Sequence, residues 1–311
     1  MAFTAKDVQT LREMTGVGMM DCKKALTETD GDMDKAVAFL REKGLAAAQK
    51  KAGRIAAEGI VAAVTAGAVG AVVEVNAETD FVAKNESFVT FANEVAKLIA
   101  EQNPASLEAL MVLSYPGKDL TVQQMQQEMV MVIGENIQIR RFARYDTGVT
   151  VPYVHMLGRI GVLVNLEVSA GLETSEKVLE LGKDLAMQIA AMRPQYLDSS
   201  SVDAAVVAQE EQIQLAKAIE ENKAKNLPDD KAEAIAKNMV KGRMNKFFEE
   251  VCLVNQPFVK ESKLTVEQHV AALAKSLGGE IKITAFARFE RGEGIEKEET
   301  DFAAEVASMM K

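Results

Sequence analysis

Gly134-Glu-Asn-Ile-Gln-Ile-Arg-Arg-Phe-Ala-Arg-Tyr145 returns 144 residues later as Gly278-Gly-Glu-Ile-Lys-Ile-Thr-Ala-Phe-Ala-Arg-Phe289, with six of the twelve positions identical. Isoleucines alternate in both copies (Ile137, Ile139; Ile281, Ile283), the period-2 pattern of a strand with one buried face. A second matched pair lies upstream. Phe88, Phe91, Val95, Ile99 and then Pro104 correspond to Val178, Leu181, Leu185, Ile189 and then Pro194 at an offset of 90. Their spacing predicts two amphipathic helices, and a strand-like run precedes each, near Val72 and near Leu163. Each unit therefore reads strand, helix, further helix, strand. The fold class expected is α+β, with two related subdomains that each cover a small antiparallel sheet with helices. Their expected spans are 55–146 and 147–289.

The two offsets differ by 54, so the second unit holds an insertion of that size, expected at about 196–252. Within it, residues 202–226 carry a helix pattern with Val206, Ile213, Ala216 and Ile219 on one side. Asn226-Leu-Pro-Asp-Asp230 reads as a turn, and Ala232 to Val251 as a second helix. A short turn between two long helices predicts an antiparallel hairpin.

Residues 1–54 read as a three-helix bundle. Thr4 and Asp7 make a capping-box pattern, and Val8, Leu11 and Met14 share a face. Thr15 to Gly18 breaks this helix, and a second runs from about Met19 to Leu26. A third follows the turn at Thr29–Asp32, with Ala36, Val37 and Leu40 inward and Gly44 placed as its stop. An alanine-rich helix then leads out from Leu45. At the other end, a module over 290–311 is expected to carry an amphipathic helix with Phe302, Val306 and Met309 on one face.

Composition narrows the function. The chain has 311 residues, 48% hydrophobic and 26% charged, with a net charge of −10. A uniformly basic face for nucleic-acid phosphates is not expected, and Lys50 to Arg54 is a short basic cluster at a helix end. With no tryptophan and 5% aromatics, the chain lacks a stacking platform for bases. Cys22 and Cys252 lie far apart and outside any CxxC pair, as expected of reduced, packed thiols in a cytoplasmic protein. The first seven residues contain no apolar run of signal-peptide length. The apolar stretch Gly59 to Val75 is too short for a membrane span and reads as two strands joined by a glycine-containing turn.

No phosphate-binding loop, dinucleotide fingerprint, nucleophile elbow or zinc spacing is present, and the two histidines, His155 and His269, stand apart. Glu74, Glu78 and Asp80 make only a weak metal-site pattern. An enzyme is thus disfavoured and a protein-binding role favoured. One connection stands out, Glu74-Val-Asn-Ala-Glu-Thr-Asp-Phe-Val-Ala-Lys84, between a strand and a helix that starts near Ser87. Phe81 there is either a hydrophobic staple for the next helix or an anchor for another protein's pocket. Where the first unit has Asp80-Phe81, the second has Ala170-Gly171, so a unit can fold without the ring.

That segment, together with Leu11-Arg-Glu-Met-Thr-Gly-Val-Gly-Met-Met-Asp-Cys-Lys-Lys-Ala-Leu26, closely resembles the two signature segments of the bacterial elongation factor Ts family. Ile133-Gly-Glu-Asn-Ile137, Tyr153-Val-His155 and Glu298-Glu-Thr-Asp-Phe-Ala-Ala-Glu-Val306 are similar to it as well. The resemblance spans the chain. It implies a guanine-nucleotide exchange factor for elongation factor Tu in protein synthesis, with a ubiquitin-associated-like domain at 1–54 and a coiled-coil hairpin. It further implies that Thr79, Asp80, Phe81 and Val82 approach the partner's magnesium site, and that Met19, Met20 and Ile133 touch the same domain. His155 and Phe302 are implied as further partner contacts. No cofactor of its own is implied, since the magnesium and GDP belong to the partner. A homodimer or a 2:2 complex is compatible with the resemblance, and neither nucleic acid nor membrane is implied. The rival classes are a passive scaffold using the three-helix domain and a metal enzyme using the acidic cluster.

Overall fold

The computed structural model describes residues 3–224 and 229–296, with no account of the side chains of 229–232. The turn expected around Asn226 and the terminal helix carrying Phe302, Val306 and Met309 lie outside the described residues. The fold is mixed helix and sheet with small antiparallel sheets.

Three helices open the chain: α1 (Ala5–Thr15), α2 (Met19–Glu28) and α3 (Met33–Lys51). The Thr4–Asp7 capping box is formed, satisfying orphan amide groups at the start of α1. Val8, Leu11, Cys22, Ala25, Leu26, Ala36 and Leu40 make one small core. Two expectations fail here. Met14 is exposed, because α1 turns only its Val8–Leu11 stripe inward. Gly44 does not stop the third helix: α3 runs unbroken to Lys51, carried by Ala46, Ala47 and Ala48. Gly44 instead faces α7 (Val122–Ile133), where a Cβ would lie 3.5 Å from the Gln127 carbonyl oxygen.

The repeat is visible element by element. The first unit holds β1 (Glu58–Ala66), β2 (Val69–Ala77), α4 (Asp80–Ala83), α5 (Glu86–Gln102), α6 (Leu107–Met111), α7 and β3 (Gln138–Tyr145). The second holds β4 (Val149–His155), β5 (Ile160–Val168), α8 (Glu176–Met192), α9 (Ala204–Ala224), α10 (Asp229–Val251), β6 (Pro257–Phe258), β7 (Glu261–Thr265), α11 (Val266–Leu277) and β8 (Ile281–Glu290). Their sheets have the orders β1-β2-β3 and β4-β5-β8, antiparallel throughout. α8 repeats α5 at an offset of 90 and α11 repeats α7 at 144, each at equal length. Even details recur: a bulge after Glu74 and after Asn165, a capping box at Thr121 and at Thr265, and a left-handed glycine cap at Gly134 and at Gly278.

The sheets pack against each other, and helices cover their outer faces. Val73 and Val75 point toward α5, while Val72 meets Val61 and Leu163 between the sheets. Burial on both faces explains why the middle strands read as continuous apolar runs. Close approach needs Gly161, where a Cβ would collide with the Val61 side chain. A carboxylate is sealed at this interface. Glu74 is 0% exposed, and its carboxylate accepts from Arg140 (3.1 Å), Arg141 (2.6 Å), Asn76 (3.1 Å) and the Gly292 amide (2.7 Å). Arg141 also donates to the Glu293 carboxylate at 3.0 Å, so the segment leaving β8 folds back onto the first sheet.

The inserted hairpin is α9 with α10. A bridge between Tyr196 and Cys252 closes its neck, and Tyr196 donates to the Val251 carbonyl at 3.0 Å. The expected stripe is displaced. Val206, Ile213 and Ala216 are exposed, and the seam runs instead through Ala218 and Asn222 of α9 with Ala236 and Met244 of α10. Cys22 and Cys252 are buried and unpaired; burial pushes the Cys252 thiol up to about 11.

Candidate functional site

The strand–helix connection is not a loop. Asp80–Ala83 forms the single helical turn α4, started by Thr79, whose hydroxyl accepts from the Val82 amide at 3.5 Å. Four residues are too few for hydrophobic periodicity, so the turn leaves no pattern in the sequence. Its geometry divides its side chains: Val82 and Ala83 enter the first core, while Asp80 and Phe81 face outward. Phe81 is 80% exposed, which excludes the staple. Val82, grouped with the partner contacts from the resemblance, is sealed against its own chain at 7% exposure.

Asp80 pairs with Lys84 at 2.7 Å, one turn on. The Lys84 ammonium, through its hydrogen bond and its charge, holds the Asp80 carboxyl below its usual 3.8. The same ammonium lies 6.0 Å from the centre of the Phe81 ring. Phe81 and an anion–cation pair therefore project together from one short turn.

A second turn holds the first in place. Gly134, in the left-handed conformation, ends α7 and sends the chain back, so that Glu135 faces β2. The Glu135 Oε2 atom accepts from the amides of Glu78 (3.1 Å) and Thr79 (3.0 Å), and its Oε1 atom accepts from the Thr79 hydroxyl (2.7 Å). Thr79 is thus engaged internally rather than displayed. In return the Glu78 carboxylate accepts from the Asn136 amide at 2.6 Å and pairs with Arg54. Asn136 also donates to the Arg54 carbonyl at 2.8 Å, tying in the end of the helical bundle. The acidic trio does not converge: Glu74 is held by two arginines, Glu78 by Arg54 and Asp80 by Lys84. Among the described residues no group of three or more such ligands could hold a metal ion.

The remaining candidates spread outward from the end of α7. Ile133 is half-buried and packs on the first core. Met19 and Met20 begin α2 and are exposed. The neighbouring Gly16 turn lies against Val132 of α7. His155 lies at the end of β4, exposed, with the Tyr153 hydroxyl 2.9 Å from Nδ1. His269 belongs to the second unit's packing, stacked 4.1 Å from the Phe258 ring.

Sequence reasoning missed Met156 and Leu157, the tip of the β4–β5 hairpin. Both have positive φ and both are exposed, Leu157 at 93%. Left-handed backbone is costly for such side chains, and a hairpin turn ordinarily carries Asn or Gly there. An apolar pair between two strands was the available signal. Leu157 borders a groove of about 350 Å³ shared with Ala83, Lys84 and Val89, which brings the second unit's tip beside α4. Among the described residues no helix is long and apolar enough to cross a membrane.

Residues 78–293 match the family model described as "Elongation factor TS". The chain is 50% identical to elongation factor Ts of Syntrophotalea carbinolica and 47% identical to that of Magnetococcus marinus, each over the whole of both chains. It is 48% identical to elongation factor Ts of Clostridium perfringens over 98% of each chain. By this similarity, which extends through both units and the helical bundle, the chain belongs to the elongation factor Ts family and its role lies in translation elongation.

Proposed function

We propose that the chain is the guanine-nucleotide exchange factor of elongation factor Tu. It binds the GDP-bound form and speeds GDP release by disturbing the partner's magnesium and phosphate site. Phe81 carries this reading: a phenyl ring 80% exposed, beside a carboxylate, on a turn locked from behind. Magnesium in such a site neutralises phosphate charge. Wedging an aromatic ring and an anion into its surroundings weakens that neutralisation, and no covalent step is needed. The coupling is reciprocal: the factor by which the protein lowers GDP affinity is the factor by which GDP lowers its own.

In this reading Met19, Met20, Ile133 and His155 supply further contacts, with Phe302 in the segment beyond the described residues. The thioether side chains suit an adaptable surface. The domains are 1–54, resembling ubiquitin-associated domains, two core subdomains over 55–146 and 147–289, and a module over 290–311. The protein works in the cytoplasm, without nucleic acid, membrane or a cofactor of its own, and a homodimer or a 2:2 complex with the partner is compatible with this role. Stopped-flow release of a fluorescent GDP from elongation factor Tu tests it. Acceleration that saturates with the protein is expected; binding without acceleration would identify a passive scaffold.

A further inference from the structure

We propose that Glu135 is a positioning residue for exchange, holding the Asp80–Phe81 turn at a fixed angle to Ile133; this rests on the exchange function proposed above. Its carboxylate gathers the Glu78 amide, the Thr79 amide and the Thr79 hydroxyl at 3.1, 3.0 and 2.7 Å. These are the groups that open α4, so the direction of its first turn is set by one side chain two residues from Ile133. Hydrogen bonds to an ionised acceptor are shorter and stronger than neutral ones. The Glu78 carboxylate reciprocates on the Asn136 amide at 2.6 Å, so each turn caps the other.

The internal repeat separates a folding role from a functional one. At the offset of 144 the counterpart of Glu135 is Gly279, and at the offset of 90 that of Asp80-Phe81 is Ala170-Gly171. In the second unit the same two turns close without a carboxylate bridging them; the Glu173 carboxylate accepts from the Gly171 amide at 2.7 Å, but from within its own turn. Ser169 donates its amide to the Glu280 carbonyl at 3.0 Å, and the Glu280 amide donates to the Ser169 hydroxyl at 2.8 Å. That unit's connection from β5 to α8, residues 169–175, forms no helical turn and contains no aromatic residue. A unit of this design therefore folds without the clamp, and the clamp occurs where there is a ring to aim.

The test uses the full chain with elongation factor Tu loaded with fluorescent GDP. Glu135→Ala is expected to lower the maximal release rate by roughly tenfold to a hundredfold, the range for a displaced active group. The half-saturating concentration should change far less. Glu135→Gln keeps an acceptor and the volume, and should restore most of the rate. In a Phe81→Ala background, Glu135→Ala should add little, because the clamp acts through the ring; a fully additive loss overturns the proposal. Amide hydrogen exchange over 78–84 in the free protein should rise in Glu135→Ala, and unchanged protection also overturns it. If wild-type protein does not speed release, the exchange function itself fails. If wild type speeds release and Glu135→Ala does so equally, the positioning role alone fails.

Discussion

Replacing Phe81 with alanine removes the ring and spares the fold. Fully burying a phenylalanine side chain is worth about 1.5–3 kcal/mol. Phe81 is 80% exposed in the free protein, so about 1.2–2.4 kcal/mol remains to be gained on a partner. At about 1.4 kcal/mol per tenfold, that is roughly 7- to 50-fold. Where the loss falls distinguishes the mechanisms. If the ring is buried equally before and during nucleotide departure, Phe81→Ala raises the half-saturating concentration and leaves the maximal rate alone. If the ring acts as a wedge, its burial is completed as the phosphate site opens, and the maximal rate falls. Stopped-flow release at several protein concentrations separates the two. Phe81→Leu, which keeps most of the apolar volume, should lie between. Thermal stability should stay within about 0.5 kcal/mol of wild type, as for other exposed positions. An unchanged maximal rate in Phe81→Ala, with only weaker binding, would refute the wedge and reduce Phe81 to an anchor.

Glu74→Gln should destabilise the protein by about 1–3 kcal/mol, because the buried carboxylate that gathers Arg140, Arg141 and the Gly292 amide is lost while Arg141 keeps Glu293 and both guanidinium groups stay partly solvated; a thermal melt matching wild type would remove the Glu74 cluster from the stability of that interface. Gly44→Ala should stabilise by about 0.5–1 kcal/mol through helix propensity, since its Cβ meets α7 only at ordinary contact distance; a lower denaturation midpoint would mean that α3 and α7 are packed more tightly than that. Asp80 has a folded pKa below 3.8, so its pairing with Lys84 persists above that folded value and is lost only as pH falls through it. Carbon-detected NMR titration should place its midpoint below 3.8, and Lys84→Ala should move it upward.

The duplicated architecture was legible because the repeat lies in buried positions. Ile137 and Ile281 are buried, Phe142 and Phe286 are partly buried, and the inward faces of α5 and α8 pack on their sheets. α4 was illegible because one turn has no period. The end of α3 is not legible because a glycine after an apolar stripe reads as a stop, whereas Gly44 lies within a helix that Ala46, Ala47 and Ala48 carry on to Lys51. Glu74 reads as a strand residue, but its two arginines and the Gly292 amide come from β3 and from beyond β8, 66 to 218 residues away in the chain. Local pattern cannot see pairs of that separation. The candidate site was legible as a segment but not residue by residue: in Thr79-Asp80-Phe81-Val82, two side chains face outward and two serve the fold. Nothing in the residues around Glu135 signals that it faces Thr79, 56 residues away in the chain.

Departures from the repeat mark where the two units have taken different work. The inter-sheet position after which both middle strands bulge is Glu74 in one unit and Asn165 in the other. Asn165 is satisfied locally, by the hydroxyls of Thr150 and Thr284. Glu74 requires two guanidinium groups and also takes the Gly292 amide. A buried carboxylate is a costly way to close a sheet that a neutral amide closes equally well. What the charge adds is reach: through Arg141 and Glu293 it fixes the segment that leads to residues 297–311 against the first unit, the unit that carries Phe81. The Glu135 clamp, the protruding ring and this latch all belong to the first unit, while the inserted hairpin and the Leu157 tip belong to the second. Asymmetry imposed on a symmetric scaffold thus gathers the clamp, the exposed ring and the latch in one of its two units.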